Sequence, residues 1–283
     1  MNRINWVKKG EFYGNMFSFN PPKDSTEAGM EQPLVWVERD RDQLTSELLW
    51  VESQKWGALN GKLLNLSYGY GKVFVVPFEK IGDQVQGGIF ELPIPRFSTG
   101  VMRGRFNAGD GQLYLAGLSA WGSTQPQLGG LYRIRKVNQP MVIPVGIAAT
   151  TTGMKLAFTD KLDAKAVQDI SSYSVKTWDL IRSRKYGSKH YDEKTIQVEK
   201  AALGPDNKSI FLTIPEIKPT WGMEIKYQLM GQLGNPNFIS TGENDYRELV
   251  FAPGTTDIAN NAITYTTGST AYNTFKTFSI KVV

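Results

Sequence analysis

Short β-prone runs, broken every few residues by turn-forming pairs, dominate this chain and leave it few folds to choose from. Runs at 34–37, 47–52, 62–67, 72–78 and 88–93 are separated by Asn60-Gly61, Gly69-Tyr70-Gly71 and Gly82-Asp83. Such pairs supply the positive φ that tight hairpins need, so the pattern predicts an antiparallel meander. A second group follows at 100–106, 112–118 and 130–136, with Asp110-Gly111 as the hairpin turn between its first two strands. Strand, Asp-Gly turn, strand is what one propeller blade would show, and 140 residues at ~40 per blade supply only about three blades where closure needs at least four.

The texture changes between Pro140 and Pro144. A new alternating pattern begins, an Asp/Ala-rich stretch offers a helical turn or two, and strands resume at 174–178, 196–200, 210–214 and 224–230. Turns fall at Gly204-Pro205-Asp206-Asn207 and Gly234-Asn235-Pro236. About seven strands in roughly 100 residues suit an immunoglobulin-like sandwich. The fold class expected is therefore all-β: a partial, β-propeller-like blade domain over 1–140, an Ig-like β-sandwich over 141–240, and a Thr/Asn/Gly-rich tail over 241–283 ending in a strand that adds to a sheet or docks on a neighbour.

Composition removes several function classes. With no cysteine, disulfides, thiolate metal sites, thiol nucleophiles and C-x-x-C-H haem attachment are excluded, while the compartment stays open. The net charge of +5 is spread along the chain with no Lys/Arg cluster to seed a nucleic-acid surface, so no nucleic acid is expected as a partner. Arg3, Lys8 and Lys9 have no apolar stretch behind them, so no signal peptide is visible, and the longest apolar runs are too short to span a bilayer. The chain is then either cytosolic or begins after a removed segment.

Local motifs for other chemistry fail on spacing. Asp40-Arg41-Asp42 with Glu47 lacks the central Gly and twelfth-position Glu of a calcium loop and reads as a charged turn. Gly69-Tyr70-Gly71-Lys72 leads into a strand rather than a helix and reads as a hairpin, not a phosphate loop. His190 is the one histidine; beside Asp192 and Glu193 it is either a surface loop residue or part of a pH-sensitive pair. It cannot build a zinc site without further nitrogen or sulfur ligands. Trp36, Trp50, Trp56 and Trp121 suit either core packing or a sugar-stacking platform. Carboxylate pairs for glycoside hydrolysis stay open, because separations between Asp and Glu side chains are not visible in a sequence.

The stretch WGALNGKLLNLSYGYGKVFVV, then QGGIFELPIPRFSTGVMRGRFNAGDGQLYLAGLSAWG and GGLYRIR, resembles the last blades of bacterial propeller proteins related to glucose/sorbosone dehydrogenases. The segments KLAFTDKLDAKAVQDISSYSVKTW and SIFLTIPEIKPTWGMEIKYQL are similar to the bacterial Ig-like module that follows the propeller in those chains. The resemblance implies an extracytoplasmic, periplasmic or secreted, location and pyrroloquinoline quinone with calcium as cofactors. It makes Arg103 and Arg105, an Arg-x-Arg strand just before the Asp-Gly hairpin, the ligands of the quinone's carboxylates. Lys72, three positions on from where the family's cofactor lysine would fall, is the remaining candidate. The chemistry is sensible, since alternate strand residues share a face and a planar guanidinium grips a carboxylate with two parallel hydrogen bonds.

No histidine lies in the first half to take the proton from a sugar hydroxyl. No catalytic or metal-ligating residue is therefore assigned in this chain, and another protein chain completing the propeller would have to supply the base. The rival expectation is a non-catalytic structural or binding module that contacts a partner protein or a carbohydrate.

Overall fold

A computed structural model describes residues 2–14, 31–136, 142–181 and 188–229, and the backbone of 275–280. The protein is all-β. Its one α-helix among the described residues is the five-residue α1 (Ala164–Gln168), started by the Asp163 side chain, which accepts from the Ala166 amide at 2.8 Å.

The first unit opens with a two-stranded pairing of β1 (Asn2–Ile4) with β2 (Val35–Val37). Four antiparallel strands follow in the order β3 (Thr45–Trp50), β4 (Leu63–Ser67), β5 (Val73–Val75), β8 (Phe90–Glu91). Between β5 and β8 a small hairpin, β6 (Phe78–Ile81) with β7 (Gln84–Gly87), leaves that sheet. The single run expected over 72–78 is thus split, because Pro77 has no N–H to continue a ladder. A second sheet places β9 (Gly100–Phe106), β10 (Leu113–Leu118) and β11 (Gly129–Lys136) side by side, and the backbone of β19 (Phe275–Ile280) runs parallel to β11.

The two larger sheets of this unit share one core, with Leu64, Leu66 and Val73 from one and Val101, Leu115 and Ile134 from the other, all 1 % exposed or less. Every residue of β4 and β5 is buried, so β5 reads as a continuous apolar run rather than an alternating one, while β4 also buries the polar Asn65 and Ser67.

The second unit has seven strands among the described residues. One sheet has the order β12 (Pro144–Thr150), β13 (Gly153–Phe158), β17 (Ser209–Thr213), β16 (Lys200–Leu203). The other has the order β15 (Tyr191–Ile196), β14 (Tyr173–Asp179), β18 (Gly222–Tyr227). Leu156, Ile210 and Leu212 from the first sheet pack against Val175, Ile196 and Tyr227 from the second. The two cores approach each other through 142–145, where Val142 belongs to one and Ile143 and Val145 to the other. The boundary expected at 140 and the Gly234-Asn235-Pro236 turn lie outside the described residues, as does the tail apart from β19. No helix among the described residues is long and apolar enough to cross a membrane.

Candidate functional site

Strand β9 begins in the core and ends at the surface. Gly100 and Val101 are buried, and from Met102 on the strand alternates, with Arg103 and Arg105 exposed and Gly104 facing inward. Gly104 is needed there, since a Cβ would come within 2.8 Å of Leu115 Cδ2 and 3.2 Å of Leu66 Cδ1. The two arginines therefore share one outward face, as the spacing predicts.

The register extends this face. Arg105 lies opposite Tyr114 on β10, which lies opposite Arg133 on β11; Arg103 lies opposite Ala116, which lies opposite Leu131. With strands about 4.8 Å apart, Arg105 and Arg133 flank Tyr114 from either side.

Two carboxylates tie this row down. Glu47 on β3 accepts from the Gly104 amide at 2.7 Å through Oε2 and from Arg105 Nη1 at 2.9 Å through Oε1. A single carboxylate thus fixes both the backbone between the arginines and one guanidinium, although the Arg105 side chain remains 75 % exposed. Asp110, in the turn, accepts from the Tyr114 hydroxyl at 2.7 Å. That bond, then the Gln112 amide and the charges of Arg133 and Lys55, hold its carboxyl below the usual range. Arg103 donates to the Met102 carbonyl at 2.8 Å. Three arginines against two acids leave the face net cationic, an arrangement suited to a carboxylate-bearing ligand.

Lys72 is placed elsewhere. It precedes β5, in the other sheet, and its side chain is 1 % exposed, with Nζ 2.7 Å from Glu91 Oε2 and 3.3 Å from the Arg41 carbonyl. The rings of Tyr70 and Phe74 lie 5.6 and 5.8 Å from the ammonium. Burial pushes its pKa down, against the pull of Glu91. An ammonium held in this way is a structural cation that has already found its carboxylate.

Arg103 and Arg105 present guanidinium groups of the kind that pair with carboxylates, and Arg105 already shares one N–H with Glu47. No group of three or more His, Asp or Glu able to hold a metal occurs among the described residues. His190 is in the second unit, between Glu38 and Glu193.

The four tryptophans do not form one platform. Trp56 is core at 1 % exposed, Trp36 packs near Trp221 with centroids 6.1 Å apart, Trp50 meets Phe78 at 6.2 Å, and Trp121 stands 89 % exposed on the loop after β10. Arg133 and Glu47 join this face through cross-strand and inter-sheet contacts that spacing along the sequence does not reveal. Arg133-x-Arg135 repeats the spacing of Arg103-x-Arg105, but only the register shows that the two strands flank one hairpin partner. In the sequence Glu47 reads with Asp40-Arg41-Asp42 as part of a charged turn, and only the contact between sheets makes it a partner of β9. Compared with known protein families, curated proteins and solved structures, the chain shows no match.

Proposed function

We propose that the chain is the C-terminal portion, or a separate subunit, of an extracytoplasmic glucose/sorbosone-dehydrogenase-like protein, with propeller blades followed by an Ig-like domain, and that it is not catalytically complete alone. The observation that carries this reading is the outward Arg103/Arg105 pair on β9, braced by Glu47.

Two features of the fold support it. The four-stranded antiparallel sheet β3-β4-β5-β8 and the neighbouring β9–β11 sheet have the size of blades. In the second unit, the order β12-β13-β17-β16 and the pairing of β14 with β18 follow the A-B-E-D order and the C–F pairing of Ig sandwiches. On this reading the quinone, when bound, supplies the hydride acceptor for oxidation of a sugar or alcohol. Arg103 and Arg105 hold and orient its carboxylates, and a further protein chain completing the propeller brings the proton acceptor and the metal ligands.

Titration of the purified chain with pyrroloquinoline quinone, with and without calcium, tests this. Saturable binding is expected, weakened ten-fold or more by Arg105→Ala, since a charge-assisted hydrogen bond contributes about 1.5–3 kcal/mol. Absence of saturable binding, or binding unchanged by the substitution, would sink the cofactor role.

Trp121 favours a second reading, a non-catalytic module that contacts a partner protein or a glycan. Its loop is pinned by the Tyr68 hydroxyl, which donates to the Trp121 carbonyl at 2.9 Å and accepts from the Ala120 amide at 3.1 Å. The indole is thus presented on an ordered backbone, as contact residues at recognition surfaces are.

A further inference from the structure

The two units meet across ionisable and aromatic side chains that the cationic face of β9–β11 does not use. Following β2, the turn at 38–42 reaches β18 and the residue preceding β15. Glu38 Oε2 lies 3.3 Å from His190 Nε2, while His190 Nδ1 lies 2.7 Å from Glu193 Oε2. The imidazole stacks on Trp178 with centroids 4.2 Å apart and planes at 10°. Beside it, Arg41 Nη2 meets Glu224 Oε2 at 2.5 Å, and Glu224 also holds Lys226.

The charged groups around His190 are therefore Glu38 from the first unit and Glu193 from β15. One step further out are Asp40, whose charge acts on Glu38, and Lys176 from β14, which pairs with Glu193 at 3.1 Å.

A neutral imidazole has one N–H and one lone pair, so it can donate to only one of two carboxylates and turns its lone pair on the other. The imidazolium donates to both. Burial opposes charging the ring, but the Glu193 hydrogen bond and the nearby Glu38 carboxylate outweigh it, and the pKa of His190 is raised. Burial also raises that of Glu38, with His190 pulling the other way. The second carboxylate oxygen of Glu38, Oε1, is buried and has no hydrogen-bond partner among the described residues. Once His190 is neutral, Glu38 is left as a partly buried charge without its cation, and it regains solvation by leaving the contact.

We infer that His190 is a proton-operated latch between the two units, its imidazolium tying Glu38 of the first unit to Glu193 of the second and its deprotonation releasing the Glu38 side. A group whose folded pKa lies above its unfolded value contributes stability that is complete below the unfolded value and is lost as pH rises through the folded one. Glu38 must be ionised for the tie to form. The latch is therefore tightest above the pKa of Glu38 and below that of His190.

Amide hydrogen exchange on the full chain tests this at about pH 6 and about pH 8.5, either side of the range in which histidines titrate. Rates are corrected for intrinsic pH dependence, with β17 as the internal reference. Protection of 36–42 and 189–193 is expected to fall several-fold at the higher pH while β17 is unchanged. His190→Gln should show the lower protection at both values, and Glu38→Gln should remove the pH dependence. Protection that is flat with pH in the wild type, or equally pH-dependent in Glu38→Gln, overturns the latch. The Glu38 variant serves this purpose even where the His190 variant fails to fold.

Discussion

Asp42 shows how a residue that reads as a surface acid becomes part of the interior. It is 0 % exposed; the Ser67 hydroxyl donates to its Oδ1 at 2.5 Å and the Leu44 amide at 3.3 Å. Burial pushes its pKa up to about 6, against the pull of Ser67, Leu44 and Lys72. Because the folded value lies above the ordinary one, the protonated acid favours the folded state. That contribution is complete below about pH 4 and is lost as pH rises through about 6, amounting to on the order of 3 kcal/mol. Asp42→Asn keeps an oxygen for both donors and removes the titration. Denaturant unfolding across this range should therefore show a variant with a flatter stability profile than the wild type. A sequence cannot distinguish such a residue from its neighbours, since Asp40-Arg41-Asp42 looks like a charged turn and only packing reveals that one of the two acids points inward. The same holds for Lys72, whose burial is a property of the turn that precedes it.

At the level of elements, that turn is decided by Gly71. Its φ is +62°, and a Cβ there would lie 2.5 Å from the Thr99 carbonyl oxygen and 2.7 Å from that of Phe97. Gly71→Ala should cost about 1–3 kcal/mol, measurable as a lower denaturation midpoint, through backbone strain joined to a steric clash. Turn chemistry of this kind was legible, and so were the strands on either side of Asp110-Gly111, with β9 falling where its residues predict.

Sheet membership was not legible. The buried residues Ile196 and Val198 continue an alternating pattern, which reads as one strand over 196–200. The chain instead crosses there from β15 in one sheet to β16 in the other. Alternation records which side faces the core, and between two sheets sharing a core that side persists through the crossing. For the candidate site, the Arg103/Arg105 face followed from period-two spacing. Arg133 and Glu47 did not, because cross-strand register and contacts between sheets are non-local.

Across the whole molecule, two apolar cores approach through 142–145, and the units are further joined by polar contacts such as Arg41 with Glu224. A cationic sheet face in one unit and the single histidine, tied between carboxylates, at the contact between units give a division of labour. On the proposed reading the arginine face holds an anion, and the one imidazole lies away from it at the contact between units, whereas general-base catalysis requires the base within hydrogen-bond reach of the proton it removes. The most direct measurement is sugar or alcohol oxidation by the purified chain alone, supplied with pyrroloquinoline quinone, calcium and an artificial electron acceptor. No turnover above the protein-free control is expected, and turnover by the isolated chain would contradict its catalytic incompleteness.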